Sequence, residues 1–244
     1  EYTTKREILE GISELAQKYK APVFTHSSET KSEVEGCIER YGKTPTELFE
    51  EIGLWNWGGG GYHSVWLSDN DLQIYKKRGL WAIINAGSNS KLASGICDVQ
   101  KMSNMGINLA VGTDGPSSNN ALDIFREMYL ISVLQKLKYN DAAAMDANEI
   151  LKAATSGSAK CMGLTDCDCI AEGKLADLMI IDLERPNMQP INNITKNLVY
   201  SGSKDDVKMT MINGKILYEN GEFVNIDKEE IYAKAQEICN RLKN

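Results

Sequence analysis

The stretch INLAVGTDG, residues 107–115, passes from a near-continuous apolar run to a polar end flanked by glycines. It follows a helical pattern over Val99–Met105 and precedes a longer one over 121–138. The same order of helix, short apolar run and polar end occurs three more times toward the N-terminus. PVFTH (22–26) follows an amphipathic pattern over 4–20, in which Ile8, Leu9, Ile12, Leu15 and Ala16 recur at i, i+3/i+4 spacing and Pro22 blocks continuation. YHSVW (62–66) follows helical patterns over Lys31–Tyr41 and 45–52, and LWAIIN (80–85) follows one over Asp69–Arg78. Strands alternating with helices imply βαβ units and a parallel sheet. The near-continuous apolar runs are those of strands covered on both faces. Four such units make half of an eight-stranded barrel, which typically takes about 250 residues. A further helical pattern beginning near Asn148 closes this region.

The last third changes character. ADLMIIDL, LVYSGS, VKMTMING and KILYENGEF are short strand-like runs, and Asn213-Gly214 and Asn220-Gly221 are hairpin turn signals. A terminal helix is expected over Lys228–Leu242. The chain therefore divides near residue 165, into a βα-repeat region (1–165) and a small β region with a terminal helix (166–244).

Composition narrows the function classes. Among 244 residues, 27 Lys+Arg against 34 Asp+Glu give a net charge of −7. With no basic cluster, the chain repels phosphate backbones, and nucleic-acid binding is not expected. No apolar run approaches the roughly 20 residues that span a bilayer, so no membrane association is expected. The first residue is Glu1 and no signal-peptide pattern precedes it, which leads to the expectation of a chain starting within a longer protein. The six cysteines are expected to be reduced thiols in a cytoplasmic protein. Cys167 and Cys169 lack the partners that would complete a zinc clip.

The chain has two histidines, His26 and His63, and each ends a strand-like run. In a parallel α/β barrel that end is the functional face. Asp114 ends a third run, and Glu29 lies on the loop leaving the first. Two imidazoles and two carboxylates at one mouth are what metal-assisted hydrolysis uses. Imidazole and carboxylate bind a zinc-type ion, the ion brings bound water toward a neutral pKa, and carboxylates move the protons. Each residue also has a plainer reading. Asp114 precedes Gly115 as a turn residue would, and Glu29 suits a helix N-terminus. On spacing alone both readings stand. Trp55, Trp57, Trp66 and Trp81 read as packing residues rather than purine-stacking ones. Among Ser117, Ser118, Asn119 and Asn120, Asn120 is the expected cap of the helix over 121–138. Lys91 is structural or lies near the site mouth.

The segments THSSETKSEVE (His26, Glu29), YHSVWLS (His63), SNSKLASG (from Ser88) and GTDGPSSNNALDIFREM (Asp114) together resemble the amidohydrolase superfamily. They look most like its 5-methylthioadenosine/S-adenosylhomocysteine deaminases, relatives of the chlorohydrolases and guanine deaminases. EGKLADLMIIDL and VKMTMINGKILYENG resemble that family's C-terminal return to a small β-sandwich. The resemblance implies an α/β fold made of strands 5–8 of a (β/α)8 TIM-like barrel, followed by the sandwich portion and the terminal helix. It implies one divalent metal per subunit, zinc first and iron second, with His26 and Asp114 as ligands. It makes Glu29 the acid that protonates the purine ring, and His63 the group that orients the attacking water, so that both meet substrate. Asp114 also accepts the water proton. Hydroxide adding to C6 of adenine pushes electrons onto N1, and collapse expels ammonia to leave the inosine analogue. The implied substrate is a small purine nucleoside carrying a thioether. Guanine deaminase and chlorotriazine-type hydrolase are the alternatives, and a homo-oligomer is expected by resemblance.

Departures from the family pattern shape a further expectation. The His-x-His pair of the family's first barrel strand is absent, and Glu1-Tyr2-Thr3 resembles the segment just beyond its fourth strand. Ile84 stands where many relatives have His, and Ser64 where Cys is common. Gly58, Gly59, Gly60 and Gly61 occupy an expected apolar strand start. Two ligands cannot fill a zinc site that uses three or four. The 244 residues alone are therefore expected to be inactive, as a fragment or as a partner needing another chain.

Overall fold

A computed structural model describes residues 1–243. Four parallel strands, β1 (Val23–Ser27), β2 (Gly59–His63), β3 (Trp81–Ile84) and β4 (Asn108–Val111), form one sheet in the order β1-β2-β3-β4. The connections between them contain α1 (Arg6–Tyr19, preceding β1), α2 (Lys31–Tyr41), α3 (Pro45–Glu51), α4 (Asp69–Arg78), α5 (Ala86–Lys91) and α6 (Val99–Met105). After β4 come α7 (Pro116–Asn119), α8 (Ile124–Tyr139) and α9 (Ala147–Lys152). A π turn (Ala153–Gly157) then leads into α10 (Ser158–Cys161). Helix starts are set by local chemistry. Thr30, Thr44 and Ser68 each cap a helix in a reciprocal box with Glu33, Glu47 and Asp71.

Helices cover one side of the sheet, where Leu48, Phe49, Trp55, Leu72, Tyr75, Ala82, Ile84 and Ile150 form the core. Of the stripe predicted on α1, Leu9 and Ala16 are buried but Ile8, Ile12 and Leu15 stay exposed. The opposite face is not covered as its apolar runs predict. Phe24, Tyr62, Trp81 and Ile83 border an open cavity of about 710 Å³, and Tyr62 is 36% exposed. Neither β1 nor β4 has a strand on its outer edge among the described residues.

Where an apolar strand start was expected, Gly59, Gly60 and Gly61 themselves open strand β2. A Cβ at Gly59 would lie 1.8 Å from the Val23 carbonyl oxygen, and one at Gly60 would lie 2.2 Å from that of Trp81. Gly59 also has φ +120°, which side chains rarely adopt. Glycine therefore lets β2 sit between its neighbours in the register Val23↔Gly59 and Gly60↔Trp81.

A second sheet, β5 (Leu178–Ile181), β6 (Val207–Ile212), β7 (Lys215–Glu219) and β8 (Glu222–Phe223), is antiparallel in that order. Both Asn-Gly pairs close its hairpins with positive φ at each residue: Asn213 46°, Gly214 74°, Asn220 50°, Gly221 93°. LVYSGS does not form a strand. Asn193 caps a helix, α11 (Ile194–Tyr200), whose Val199 is buried against the helical layer, and the run's β-type composition yields to that packing. The helix expected over 121–138 begins at Ile124 under an Asp123 cap; Asn120 instead ends α7, with φ 68°. The helical pattern from Asn148 is broken by the π turn, where Gly157 packs on β4 and Ser158 Oγ accepts the Val111 N–H at 3.1 Å. The terminal helix, α12 (Lys228–Leu242), buries none of its residues.

Gly59→Ala is expected to cost about 3 kcal/mol or more, because neither backbone can retreat. Gly214→Ala, at an open turn with φ +74°, should cost only about 1–2 kcal/mol. Urea unfolding of both variants checks this, and equal losses would show that the strand approach is not the constraint.

Candidate functional site

The three strand-end residues singled out from sequence meet at one mouth of the parallel sheet. His26, His63 and Asp114 line a cavity of about 230 Å³ with Tyr62, Ile83, Asn85 and Gly112. His26 is exposed and stacks on the buried His63 ring, with centroids 5.3 Å apart and planes 20° apart. Non-glycine residues take positive φ where the chain leaves these strands: Ser28 53°, His63 70°, Ser64 50° and Asp114 60°. Such backbone costs about 1–2 kcal/mol per residue, and bonds such as Val65 N–H to Ser28 O (3.0 Å) and Trp66 N–H to Ser28 O (2.9 Å) hold it.

Glu29 is brought to the site but not into the cavity wall. Its Oε2 lies 3.6 Å from His63 Nε2, and its Oε1 accepts from Ser94 Oγ at 3.1 Å. Trp66 Nε1 donates to the Ser94 carbonyl at 2.7 Å, so this tryptophan pins the loop that steadies Glu29. Of the other tryptophans, Trp55 is buried in the core, and Trp57 and Trp81 line the open face. Lys91 contacts the Asn120 side chain and the Ser117 carbonyl, outside the cavity lining.

Asp114 is held by three donors. Ser88 and Ser118 hydroxyls each donate to Oδ2 at 2.6 Å, and the Gly115 N–H donates to Oδ1 at 2.7 Å. Desolvation would raise its pKa, but these bonds outweigh it and hold the carboxyl below the usual range.

Several positioning groups went unread in the sequence. Glu33 accepts from Ser28 N–H at 2.8 Å and Glu29 N–H at 2.7 Å, fixing the loop that carries Glu29. The Thr30-x-x-Glu33 capping box was the signal that could have found it. Asn89 on α5 faces His63 Nδ1 at 2.8 Å. Glu127, fully buried on α8, accepts from Gly87 N–H at 2.8 Å and Asn119 Nδ2 at 2.7 Å, and Asn119 Nδ2 also donates to Thr113 O at 2.6 Å. Burial pushes the Glu127 carboxyl up, and these bonds only partly offset it. Nothing in FREM marks Glu127 as buried.

The donors suit a zinc-type ion in kind but not in number. His26 and Asp114 face one cavity, yet among the described residues no group of three or more His, Cys, Asp or Glu side chains is arranged to hold a metal. Cys167 and Cys169 are free thiols. No described helix is long and apolar enough to cross a membrane.

The Amidohydrolase family profile matches residues 1–217. A 5-methylthioadenosine/S-adenosylhomocysteine deaminase of Pyrococcus furiosus is 42% identical over 96% of this chain and 55% of its own length. A 5′-deoxyadenosine deaminase of Methanosarcina acetivorans is 36% identical over 98% of the chain and 55% of its own length. A Xanthomonas campestris adenosine deaminase with bound zinc superposes with a TM-score of 0.94 at 32% identity, covering 99% of this chain and 55% of that one. The chain thus spans about half the length of the curated relatives it matches.

A raised pKa sets the sign of a pH effect. With its folded pKa above the unfolded one, Glu127 contributes stability that is full below the ordinary carboxylate range and is lost as pH rises through the raised value. Glu33 and Asp71, also raised by burial, act the same way. Glu127→Gln is expected to flatten the fall in urea midpoint as pH rises across and above that range. Parallel curves for the two proteins would show that Glu127 titrates normally.

Proposed function

The chain belongs to the amidohydrolase family, and we propose that it carries one side of the reaction centre of a hydrolytic deaminase acting on adenine nucleosides with a 5′-thioether. The carrying observation is the convergence of His26, His63 and Asp114 on one cavity, with Glu29 behind His63. The names of the relatives support a purine nucleoside as substrate. In this reading Glu29 delivers a proton to the ring nitrogen next to the attacked carbon. His63 orients the incoming water. Asp114 takes the water proton at its carboxylate and returns it to the departing amine; ammonia leaves, the remaining hydroxyl proton replaces the one Glu29 gave to the ring, and the inosine analogue remains. The three donors that lower its pKa keep Asp114 ionised at neutral pH.

We further propose that the parallel sheet is strands 5–8 of a (β/α)8 barrel over residues 1–165, with 166–244 as a sandwich portion. The bare β1 and β4 edges and the open apolar face support this. The proposed ion is zinc, with iron second, and its ligands from this chain are His26 and Asp114. Two ligands fall short of the three or four of a zinc site, so no reaction step is assigned through the ion here, and the 244 residues alone are proposed to bind zinc weakly and to turn over nothing.

The test is ammonia release from methylthioadenosine, adenosylhomocysteine, 5′-deoxyadenosine and guanine, and chloride release from a chlorotriazine. It is run on the 244 residues alone and with their native flanking sequence. Turnover is expected only with the flanks and on the thioether nucleosides, and Asp114→Asn should lower it about a thousandfold. Guanine or triazine turnover would replace the substrate class. Tight stoichiometric zinc in the 244 residues alone would sink the incomplete-site reading.

A further inference from the structure

His63 and Asn89 are 1% and 2% exposed, so water does not compete for the contact between them. His63 Nδ1 and Asn89 Oδ1 are 2.8 Å apart, a well-formed hydrogen-bond distance. The other ring nitrogen stands 3.6 Å from Glu29 Oε2, beyond good hydrogen-bonding reach. A neutral imidazole carries its proton on one nitrogen only, and the better-formed bond decides which. Asn89 is also held in place. Its N–H bonds Asn85 O at 2.9 Å, and α5 is tied down at Gly87 by the Glu127 carboxylate. A Cβ at Gly87 would stand 2.3 Å from Glu127 Oε1, so a side chain there would have to displace the clamping carboxylate.

We propose that Asn89 is a positioning residue that holds His63 as the Nδ1–H tautomer. This leaves Nε2, on the Glu29 side, as an acceptor that can take a hydrogen bond from water or from protonated Glu29 but cannot donate one. The proposal rests on the reading of His63 as the imidazole beside the reacting centre and adds which nitrogen carries its proton. Asn89 Nδ2 is buried without a partner. Turning the amide over would exchange that unmet donor for an unmet carbonyl, put a donor on Nδ1 and force the proton to Nε2. That reversed arrangement is the rival the test separates.

The chain has only two histidines, so a ¹⁵N spectrum of the ring nitrogens contains two imidazoles, and His26→Gln assigns them. At a pH where both rings are neutral, His63 is expected to show a protonated Nδ1 and a bare Nε2. Asn89→Leu, which removes the acceptor, should shift the Nδ1–H to Nε2–H ratio about fivefold toward Nε2–H. Asn89→Asp, which keeps an acceptor, should restore Nδ1–H. A protonated Nε2 in the unaltered chain, or an unchanged ratio in Asn89→Leu, overturns the proposal. If Asn89→Leu does not fold, the spectrum of the unaltered chain still decides. The spectrum needs no turnover, so a failed deaminase assay would sink the functional reading without touching this one.

Discussion

A single carboxylate, that of Glu127, ties together the elements that carry the site. Among the described residues it forms no ion pair, and it is held by the Gly87 N–H and the Asn119 amide, with Arg126 only a weaker attraction. Burying a carboxylate is costly unless donors surround it, and here those donors belong to α5 and α7. The first of these helices brings Ser88 to Asp114 and Asn89 to His63. The second brings Ser118 to Asp114 and secures Thr113 through Asn119. Two strand ends that share no strand pairing, those of β2 and β4, are thereby referred to one anchor point. The strained backbone at His63 and Asp114 depends on such support from its surroundings.

Much of this was legible in the residues. Apolar runs ending in His26, His63 and Asp114 placed three side chains at one end of a parallel sheet, because strand direction and strand-end position follow from the alternation of elements. The Asn-Gly turns were read correctly because their positive φ leaves few other residues able to serve. Glu127 and Asn89 were not legible. A glutamate or asparagine on a helix has the same local pattern whether it faces solvent or a buried amide, and only the packing of α8 and α5 distinguishes the two. LVYSGS misled for a related reason. Its composition suits a strand, but its place after the Asn193 cap and the burial of Val199 decide for a helix. The glycines at 58–61 stand where an apolar strand start was expected, because propensity describes an isolated strand, whereas at Gly59 and Gly60 neighbouring backbones approach too closely for a Cβ.

The sheet presents two unlike faces. One is sealed by helices. The other exposes Phe24, Tyr62 and Trp81 around an open cavity, although parallel strands with such apolar runs are ordinarily covered on both sides. The candidate site shows the same imbalance: His26, His63 and Asp114 converge on one cavity, yet no group of three or more metal-type side chains is arranged there among the described residues. Packing and donor count, which are independent quantities, thus both support the proposal that the sheet is part of a larger barrel.

The π turn at Ala153–Gly157 has an implication for how this chain tolerates insertions and deletions. Such a turn houses one residue more than an α turn. Removing a single residue there would let the helix run on regularly from α9, but would rotate everything beyond by about 100°. Ser158 would then swing away from the Val111 N–H that it now accepts. The extra residue acts as a spacer that sets the angular phase of α10 against β4. Length variation among homologues should therefore avoid this helix, however exposed its outer surface, and collect in the connections on either side.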